Sequence, residues 1–172
     1  LRGAAKYLGE KHPLRTGFDG VIEGTLPIGG LSSSAAVTIS FLSVLCRVNQ
    51  IQLSDLDVIS IAKRAENEYV GVSSGKLDQS CEVYCRKDHL LYLDTADDSY
   101  ERISASGAMK PYKIAIFFSG VERTLAGSGY NLRVDECKSA AYDLMAFSGM
   151  EYGKYADAVL RQVPAEVFEQ YK

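Results

Sequence analysis

The feature that most constrains this chain is a glycine turn between a strand-like run and a long apolar helix. Residues 18–26 have strand character, residues 27–30 hold a proline and two glycines, and residues 31–48 follow helical apolar spacing. Ser32, Ser33 and Ser34 fall at the predicted helix start. Exposed N–H groups and the helix dipole attract phosphate there, and a hydroxyl can ligate Mg²⁺. We predict a phosphate site, although a serine-rich helix cap has the same pattern and the Gly-Lys-Ser/Thr ending of a Walker loop is missing.

A second polar segment, residues 65–79, places carboxylates on both sides of a turn that contains glycine and serine. Glu66 and Asp78 are its candidate functional groups. Phosphoryl transfer needs one acidic group near the attacking hydroxyl and a metal ion that neutralises the phosphates. The segment therefore fits a division of labour between the two carboxylates. Taken alone, Asp78 is equally well explained as a carboxylate that the helix dipole favours.

A third segment, residues 119–137, is a loop that ends in an aromatic hydroxyl at a predicted helix start. Tyr130 can offer a sugar both a stacking face and a hydrogen bond, and it can equally be a half-buried aromatic residue. Arg133 and Glu136, three residues apart, are predicted to form a surface ion pair.

The remaining predicted elements alternate helices with strands. Helices are predicted at residues 1–8, 54–69, 75–85, 130–147, 153–160 and 165–171. Strands are predicted at 18–26, at 89–94 and, most strongly, at 114–118, while 94–110 is polar and rich in turn residues. Ser54 is the predicted N-cap of its helix, because Asp55 and Asp57 follow it. This alternation predicts an α/β or α+β fold with a boundary between residues 95 and 112.

Composition excludes several classes of function. Nineteen Lys and Arg against 22 Asp and Glu give a net charge of −3 with no basic run, which argues against nucleic acid or an anionic membrane as partner. No apolar run approaches the roughly 20 residues of a membrane span. The four cysteines have no zinc pairing and predict buried thiols in a reducing, cytoplasmic setting. With 47% apolar residues, the chain can form a core of one or two domains, and its substrate is expected in a pocket.

In this order and spacing, the three segments resemble the GHMP small-molecule kinases, and among them the galactokinases. Residues 31–35, Leu-Ser-Ser-Ser-Ala after a glycine turn, are similar to the family's nucleotide motif. Residues 65–79 are similar to its catalytic-aspartate segment, and residues 125–133 to its sugar-side loop. The glycine turn is one residue shorter than the family's usual Pro-x-Gly-x-Gly-Leu, and Lys76 stands where galactokinases carry an apolar residue. The long stem of Lys76 can bring charge near Asp78.

The resemblance implies a role for each matched residue. Asp78 would be the catalytic carboxylate that orients or deprotonates the anomeric hydroxyl, while Gly75 and Tyr130 hold the sugar. Ser34 and Glu66 would bind Mg²⁺. The ATP site would be formed by Gly29, Gly30, Leu31, Ser32, Ser33, Ser34 and Ala35.

The expected product is a sugar 1-phosphate, with galactose as the first choice of substrate and galacturonate or arabinose as alternatives. The implied fold is a ribosomal-S5-domain-2-like GHMP kinase domain over residues 1–110, followed over 111–172 by the beginning of a ferredoxin-like domain. The family's early Arg-x-Asn-x-Ile-Gly-Glu-His-x-Asp segment and late glycine-rich motif do not occur in these residues, so we expect a fragment that is inactive alone. Two other readings stay open: a regulator that binds galactose and ATP without catalysis, and a structural S5-like domain.

Overall fold

The computed structural model describes residues 1–24, 31–108, 110, 112–117, 120–121 and 129–171. The chain divides into two compact units, Leu1–Glu122 and Arg123–Lys172. The elements of the first unit are α1 (Arg2–Gly9), α2 (Ser33–Val48), α3 (Asp55–Arg64), a π-helical segment (Ala65–Val70), α4 (Leu77–Tyr84), β1 (His89–Leu93) and β2 (Tyr100–Ser104). Those of the second are α5 (Tyr130–Phe147), two 3₁₀ turns (Tyr155–Asp157 and Leu160–Gln162) and α6 (Ala165–Tyr171). The mixture of helices and strands confirms the broad α/β prediction, whereas the domain division at residue 110 stays a prediction.

The core of the first unit lies where α1, α2, α3 and the π-helical segment meet. Its buried side chains are Ala4, Tyr7, Leu8, Leu42, Leu45, Ile61, Ala62 and Ala65. Gly3 lets α1 approach the π-helical segment closely, because a Cβ at this position would lie 3.1 Å from Tyr69 Cβ and 3.2 Å from Ala65 Cβ. The π-helical segment therefore packs directly against α1.

The predicted N-cap of α3 is confirmed. Ser54 Oγ accepts a hydrogen bond from Asp57 N at 3.2 Å and donates one to Asp57 Oδ2 at 2.6 Å. The bond from the Ser54 hydroxyl is the main cause that holds the pKa of the Asp57 carboxyl below its ordinary value. The helix itself ends earlier than expected, since the backbone changes to π-helical bonding at Ala65.

The strands β1 and β2 form an antiparallel hairpin of which the sequence predicted only the first strand. The register pairs His89 with Ser104, Leu91 with Arg102 and Leu93 with Tyr100. Every residue of β2 is exposed, so its sequence has no alternation of buried and exposed positions to indicate a strand. Backbone pairing with β1 creates the strand inside a region predicted to be turn-rich.

The hairpin is joined to both ends of α4. At the start of the helix, the Lys76 ammonium forms an ion pair with Asp98 in the hairpin turn. At its end, the Tyr84 ring stacks on Tyr100 with 4.1 Å between centroids, and Arg102 Nε donates to the Tyr84 carbonyl oxygen at 2.7 Å. The hairpin therefore supports the helix that carries Asp78.

Two strand predictions are wrong for the residues that the structure describes. Residues 112–117 form no regular element, and Ile114 and Phe117 are 82% and 90% exposed, although 114–118 was predicted as a buried strand. Residues 18–24 likewise form no strand, and Phe18 instead packs against the helical core. A β-branched, apolar run becomes a strand only when a neighbour satisfies its N–H and C=O groups, and no described strand pairs with either run.

The second unit is built on α5, which has the predicted bounds. Ala141 and Met145 are its buried residues, and the Tyr142 ring meets Tyr155 edge-on at 5.8 Å. The helix predicted at 153–160 is replaced by the two 3₁₀ turns, while α6 has the predicted bounds. Among the described helices, none is both long and apolar enough to span a bilayer.

Candidate functional site

The start of α2 carries three consecutive serines in unusual geometry. Ser32 is the N-cap residue in the left-handed conformation, with φ 55° and ψ 28°, and its side chain makes no capping hydrogen bond. Few residues other than glycine adopt this conformation. Ser33 is the first helical residue, so the free N–H groups of the first turn of α2 lie at the serines. This is the backbone arrangement that binds an anion.

The carboxylate of Glu66 lies at the centre of a hydrogen-bonded cluster. Glu66 is only 9% exposed, and Ser34 Oγ donates to its Oε1 at 2.8 Å. Its Oε2 accepts from Ser74 Oγ at 2.7 Å and from Gln79 Nε2 at 2.8 Å. Ser74 Oγ also lies 3.0 Å from Asn67 Oδ1, so its single proton is shared between Glu66 and Asn67. The cluster joins α2, the π-helical segment, the turn that follows it and α4.

The position of Glu66 depends on the π-helical segment. The Glu66 carbonyl oxygen accepts from Gly71 N at 3.1 Å and from Val72 N at 3.2 Å, so the backbone turns wider than in an α-helix. Gly71 ends the segment with φ 87°, a conformation that glycine adopts without strain. Single π-helical turns within helices frequently occur at functional sites.

The charge of Glu66 fits a cation site. Among the described residues, no Lys or Arg forms an ion pair with Glu66. A buried carboxylate that is held only by neutral donors has no opposite charge beside it, and a cation would supply one. Ser34 donates its hydroxyl hydrogen to Glu66 in a hydrogen bond, so the lone pairs of the Ser34 oxygen remain available to a metal. Mg²⁺ binds oxygen ligands and commonly takes one or two protein groups with water and phosphate.

Asp78 lies in the first turn of α4, next to Gln79. Successive residues of a helix point about 100° apart, so Asp78 is half-buried while Gln79 is turned into the protein. The cation expected near Asp78 is engaged elsewhere, because the Lys76 ammonium pairs with Asp98. Glu66 therefore accepts hydrogen bonds both from Ser34, at the start of α2, and from Gln79, the residue that follows Asp78.

The cluster around Glu66 lies in the part of the chain that matches a known family. The family model described as GHMP kinases N terminal domain matches residues 1–86, half of the chain. The matched segment includes Ser34, Glu66 and Asp78. The chain belongs to the GHMP kinase family. This confirms the resemblance that the sequence motifs indicated.

Curated relatives of this GHMP kinase chain are sugar kinases by name. A galacturonokinase of Arabidopsis thaliana is 35% identical over 99% of the chain and 41% of the relative. A galactokinase of Enterococcus faecalis is 34% identical over 99% of the chain and 42% of the relative. A galactokinase of Pyrococcus furiosus is 39% identical over 80% of the chain and 38% of the relative.

A solved structure gives the same result. The crystal structure of Lactococcus lactis galactokinase complexed with galactose matches 99% of the chain and 42% of its own chain, with a TM-score of 0.84 and 25% identity. The GHMP kinase chain described here thus spans about two fifths of the length of these relatives.

The structure places the other predicted site residues as follows. Leu31, which precedes α2, is exposed. Ala35, in the first turn of α2, is buried. Gly29 and Gly30 lie outside the described residues. Gly75 is exposed, and a Cβ added there would meet nothing within 4 Å.

Tyr130 is the first residue of α5 in the second unit and is exposed. Most of the loop before it, residues 122–128, lies outside the described residues. The predicted surface ion pair is confirmed, with Arg133 Nη1 2.8 Å from Glu136 Oε2. The sugar role of Tyr130 stays a prediction.

Sequence reasoning missed two members of the cluster around Glu66. Ser74 and Gln79 stand inside the catalytic-aspartate segment but received no role. The sequence offered one signal, because Gln79 is a polar amide at a position of α4 that faces the protein interior, one residue after Asp78. Its partner Glu66 lies 13 residues earlier, a separation that local patterns do not reveal.

Proposed function

We propose that this chain carries the nucleotide-binding and catalytic part of a sugar 1-kinase. The reaction transfers the γ-phosphoryl group of ATP to the anomeric hydroxyl of galactose or a related sugar, giving a sugar 1-phosphate and ADP. The observation that carries the proposal is the bonded cluster of Ser34, Glu66 and Gln79, which joins the start of α2 to the helix of Asp78. Family membership and the activities by which the relatives are named support it.

The phosphates of ATP are assigned to the start of α2, where backbone N–H groups and hydroxyls are exposed to a ligand. Mg²⁺ is assigned to Ser34 and Glu66, and when bound it neutralises phosphate charge during transfer. The residues proposed for the nucleotide are Gly29, Gly30, Leu31, Ser32, Ser33, Ser34 and Ala35.

Asp78 is assigned to the sugar hydroxyl. A carboxylate can accept a hydrogen bond from an attacking hydroxyl, which it orients or deprotonates. Gly75 and Tyr130 are assigned to holding the ring. Gly75 precedes Asp78 by three residues and has open space beside its Cα, which leaves room for a ligand against the backbone.

Galactose is the proposed substrate, with galacturonate and arabinose as alternatives. Over 99% of the chain, a relative named galacturonokinase and one named galactokinase match with 35% and 34% identity. Both sugars therefore belong in the substrate comparison.

The wider assignment follows the family. Residues 1–110 are proposed as the GHMP kinase N-terminal domain with an S5-like fold, and residues 111–172 as the beginning of a ferredoxin-like domain. A cytoplasmic location is proposed. The 172-residue chain alone is expected to show no turnover.

The test is a coupled ADP-release assay on the full-length protein with galactose, galacturonate and arabinose. Asp78→Ala should retain ATP binding and lose about 10²-fold to 10⁴-fold in kcat, the usual contribution of a general base. Asp143→Ala, which removes an exposed carboxylate from α5, should keep normal turnover. Equal inactivity on all three sugars would refute a galactokinase-like enzyme, and normal turnover of Asp78→Ala would remove this residue from catalysis.

A further inference from the structure

We propose that Gln79 is a positioning residue that holds the Glu66 carboxylate, and through it the Ser34 hydroxyl, in place for a divalent cation. This inference rests on the proposed function, since it concerns the same cation. It adds a residue to which the family motif, as matched above, gave no role. Its basis is the geometry of the amide: Nε2 lies 2.8 Å from Glu66 Oε2, and the side chain is 1% exposed.

Gln79 differs from the other two donors to Glu66. Ser34 is itself assigned to the cation, and Ser74 lies on a turn and shares its single proton between Glu66 and Asn67. Gln79 belongs to α4, which is joined to the hairpin at both ends. A donor fixed on a packed helix restrains rotation of the carboxylate that it contacts. Groups that orient metal ligands in this way commonly change metal affinity 10-fold to 100-fold when removed.

The other end of the same amide indicates that Gln79 does not serve stability alone. Among the described residues, the buried side-chain atoms without a hydrogen-bond partner are Gln79 Oε1 and Ser80 Oγ. A buried acceptor without a partner is unfavourable, and an apolar side chain of similar size would avoid that penalty. Gln79 therefore destabilises the fold through its Oε1 atom and orients the Glu66 carboxylate through its Nε2 atom. This combination fits a role in the site.

Ser80 supplies a matched control on the same helix. Its side chain is 0% exposed and its hydroxyl has no partner, but it makes no bond to Glu66. Ser80→Ala therefore changes a buried polar group beside Gln79 and leaves the cluster intact. Gln79→Met removes the amide donor and keeps a side chain of similar length.

The experiment measures Mn²⁺ binding by electron paramagnetic resonance, with and without a non-hydrolysable ATP analogue. We expect Gln79→Met to weaken Mn²⁺ binding about 10-fold, while Ser80→Ala binds as the wild type. Binding of the analogue in EDTA should be equal in all three proteins, and the melting temperature of Gln79→Met without metal should stay near that of Ser80→Ala. A merely structural role predicts the reverse, namely a lower melting temperature with unchanged Mn²⁺ affinity.

A second variant keeps the proposal testable if Gln79→Met does not fold. Gln79→Asn keeps an amide but shortens the side chain by one methylene, which withdraws the donor from Glu66 Oε2. It should bind Mn²⁺ about 10-fold more weakly than the wild type, and binding as tight as that of the wild type overturns the proposal. If the wild type binds Mn²⁺ and Gln79→Met binds it equally well, the inference on Gln79 alone fails. If the wild type binds neither Mn²⁺ nor the analogue, the proposed function fails and the inference with it.

Discussion

Ser34 Oγ and Glu66 Oε1 lie 2.8 Å apart although 32 residues separate them in the chain. Their hydrogen bond closes the first turn of α2 onto the π-helical segment. It also fixes the direction of the Ser34 proton, so that the oxygen lone pairs face away from Glu66. The hydroxyl that we propose as a metal ligand therefore has a defined orientation.

Ser34→Ala should weaken Mg²⁺-dependent nucleotide binding about 10-fold to 100-fold, because it removes one assigned ligand and one donor to Glu66. Isothermal titration with an ATP analogue, in Mg²⁺ and in EDTA, measures the effect. Ser40→Ala is the control, since Ser40 lies on the same helix and donates only to the Ala36 carbonyl oxygen at 2.8 Å. Equal losses in both variants would assign the effect to the helix rather than to the metal site.

Gly3→Ala should destabilise the first unit by about 1–3 kcal/mol, the usual cost of overpacking. The added methyl group would lie 3.1 Å from Tyr69 Cβ and 3.2 Å from Ala65 Cβ, so α1 must move away from the π-helical segment. Gly9→Ala on the same helix meets only Leu14 Cδ1 at 3.8 Å and should be neutral or slightly stabilising. Urea denaturation of both variants provides the comparison. A Gly3→Ala protein as stable as Gly9→Ala contradicts the close approach of α1.

Ser54→Ala should raise the pKa of the Asp57 carboxyl toward its ordinary value, because the Ser54 hydroxyl is the main cause of the lowered pKa. A pKa that is lower in the folded than in the unfolded chain stabilises the fold above the unfolded pKa. That stabilisation disappears as the pH falls through the folded pKa, here from about pH 4 downward. The wild type should therefore lose more stability on acidification than Ser54→Ala. NMR titration of Asp57 and urea denaturation between about pH 6 and pH 3 test this, and parallel acid profiles would count against it.

The cysteines should react with iodoacetamide in two classes. Burial raises the pKa of the Cys46 and Cys81 thiols, and contact with Cys85 raises that of Cys81 further. Cys85 and Cys137 are exposed. Because the thiolate is the reactive form, Cys85 and Cys137 should be alkylated first at about pH 8. Peptide mass spectrometry over time gives the order, and early modification of Cys81 would contradict the burial of its thiol.

Elements that depend on local patterns were predictable from the sequence. The N-cap at Ser54 and the bounds of α5 and α6 follow from polar caps and helical spacing, and these signals lie within a few residues of each element. The motif segments identified the family because three of them occur in a fixed order.

Features that depend on distant partners were not predictable. The run at 114–118 has strand composition, yet its described residues pair with no strand, while β2 has little strand character and pairs with β1. The same limit applies to the site. Glu66 was found from its motif, but its bonds to Ser74 and Gln79 arise only when the turn after the π-helical segment brings α4 against α2 and α3.

The attachment of α4 at both its ends has a consequence for stability. Lys76 contacts Asp98 at one end, and Tyr84 contacts Tyr100 and Arg102 at the other. The helix that carries Asp78 is therefore tied at two points to a hairpin whose second strand is exposed along its whole length. A substitution that unfolds this hairpin removes neighbours from both ends of the helix.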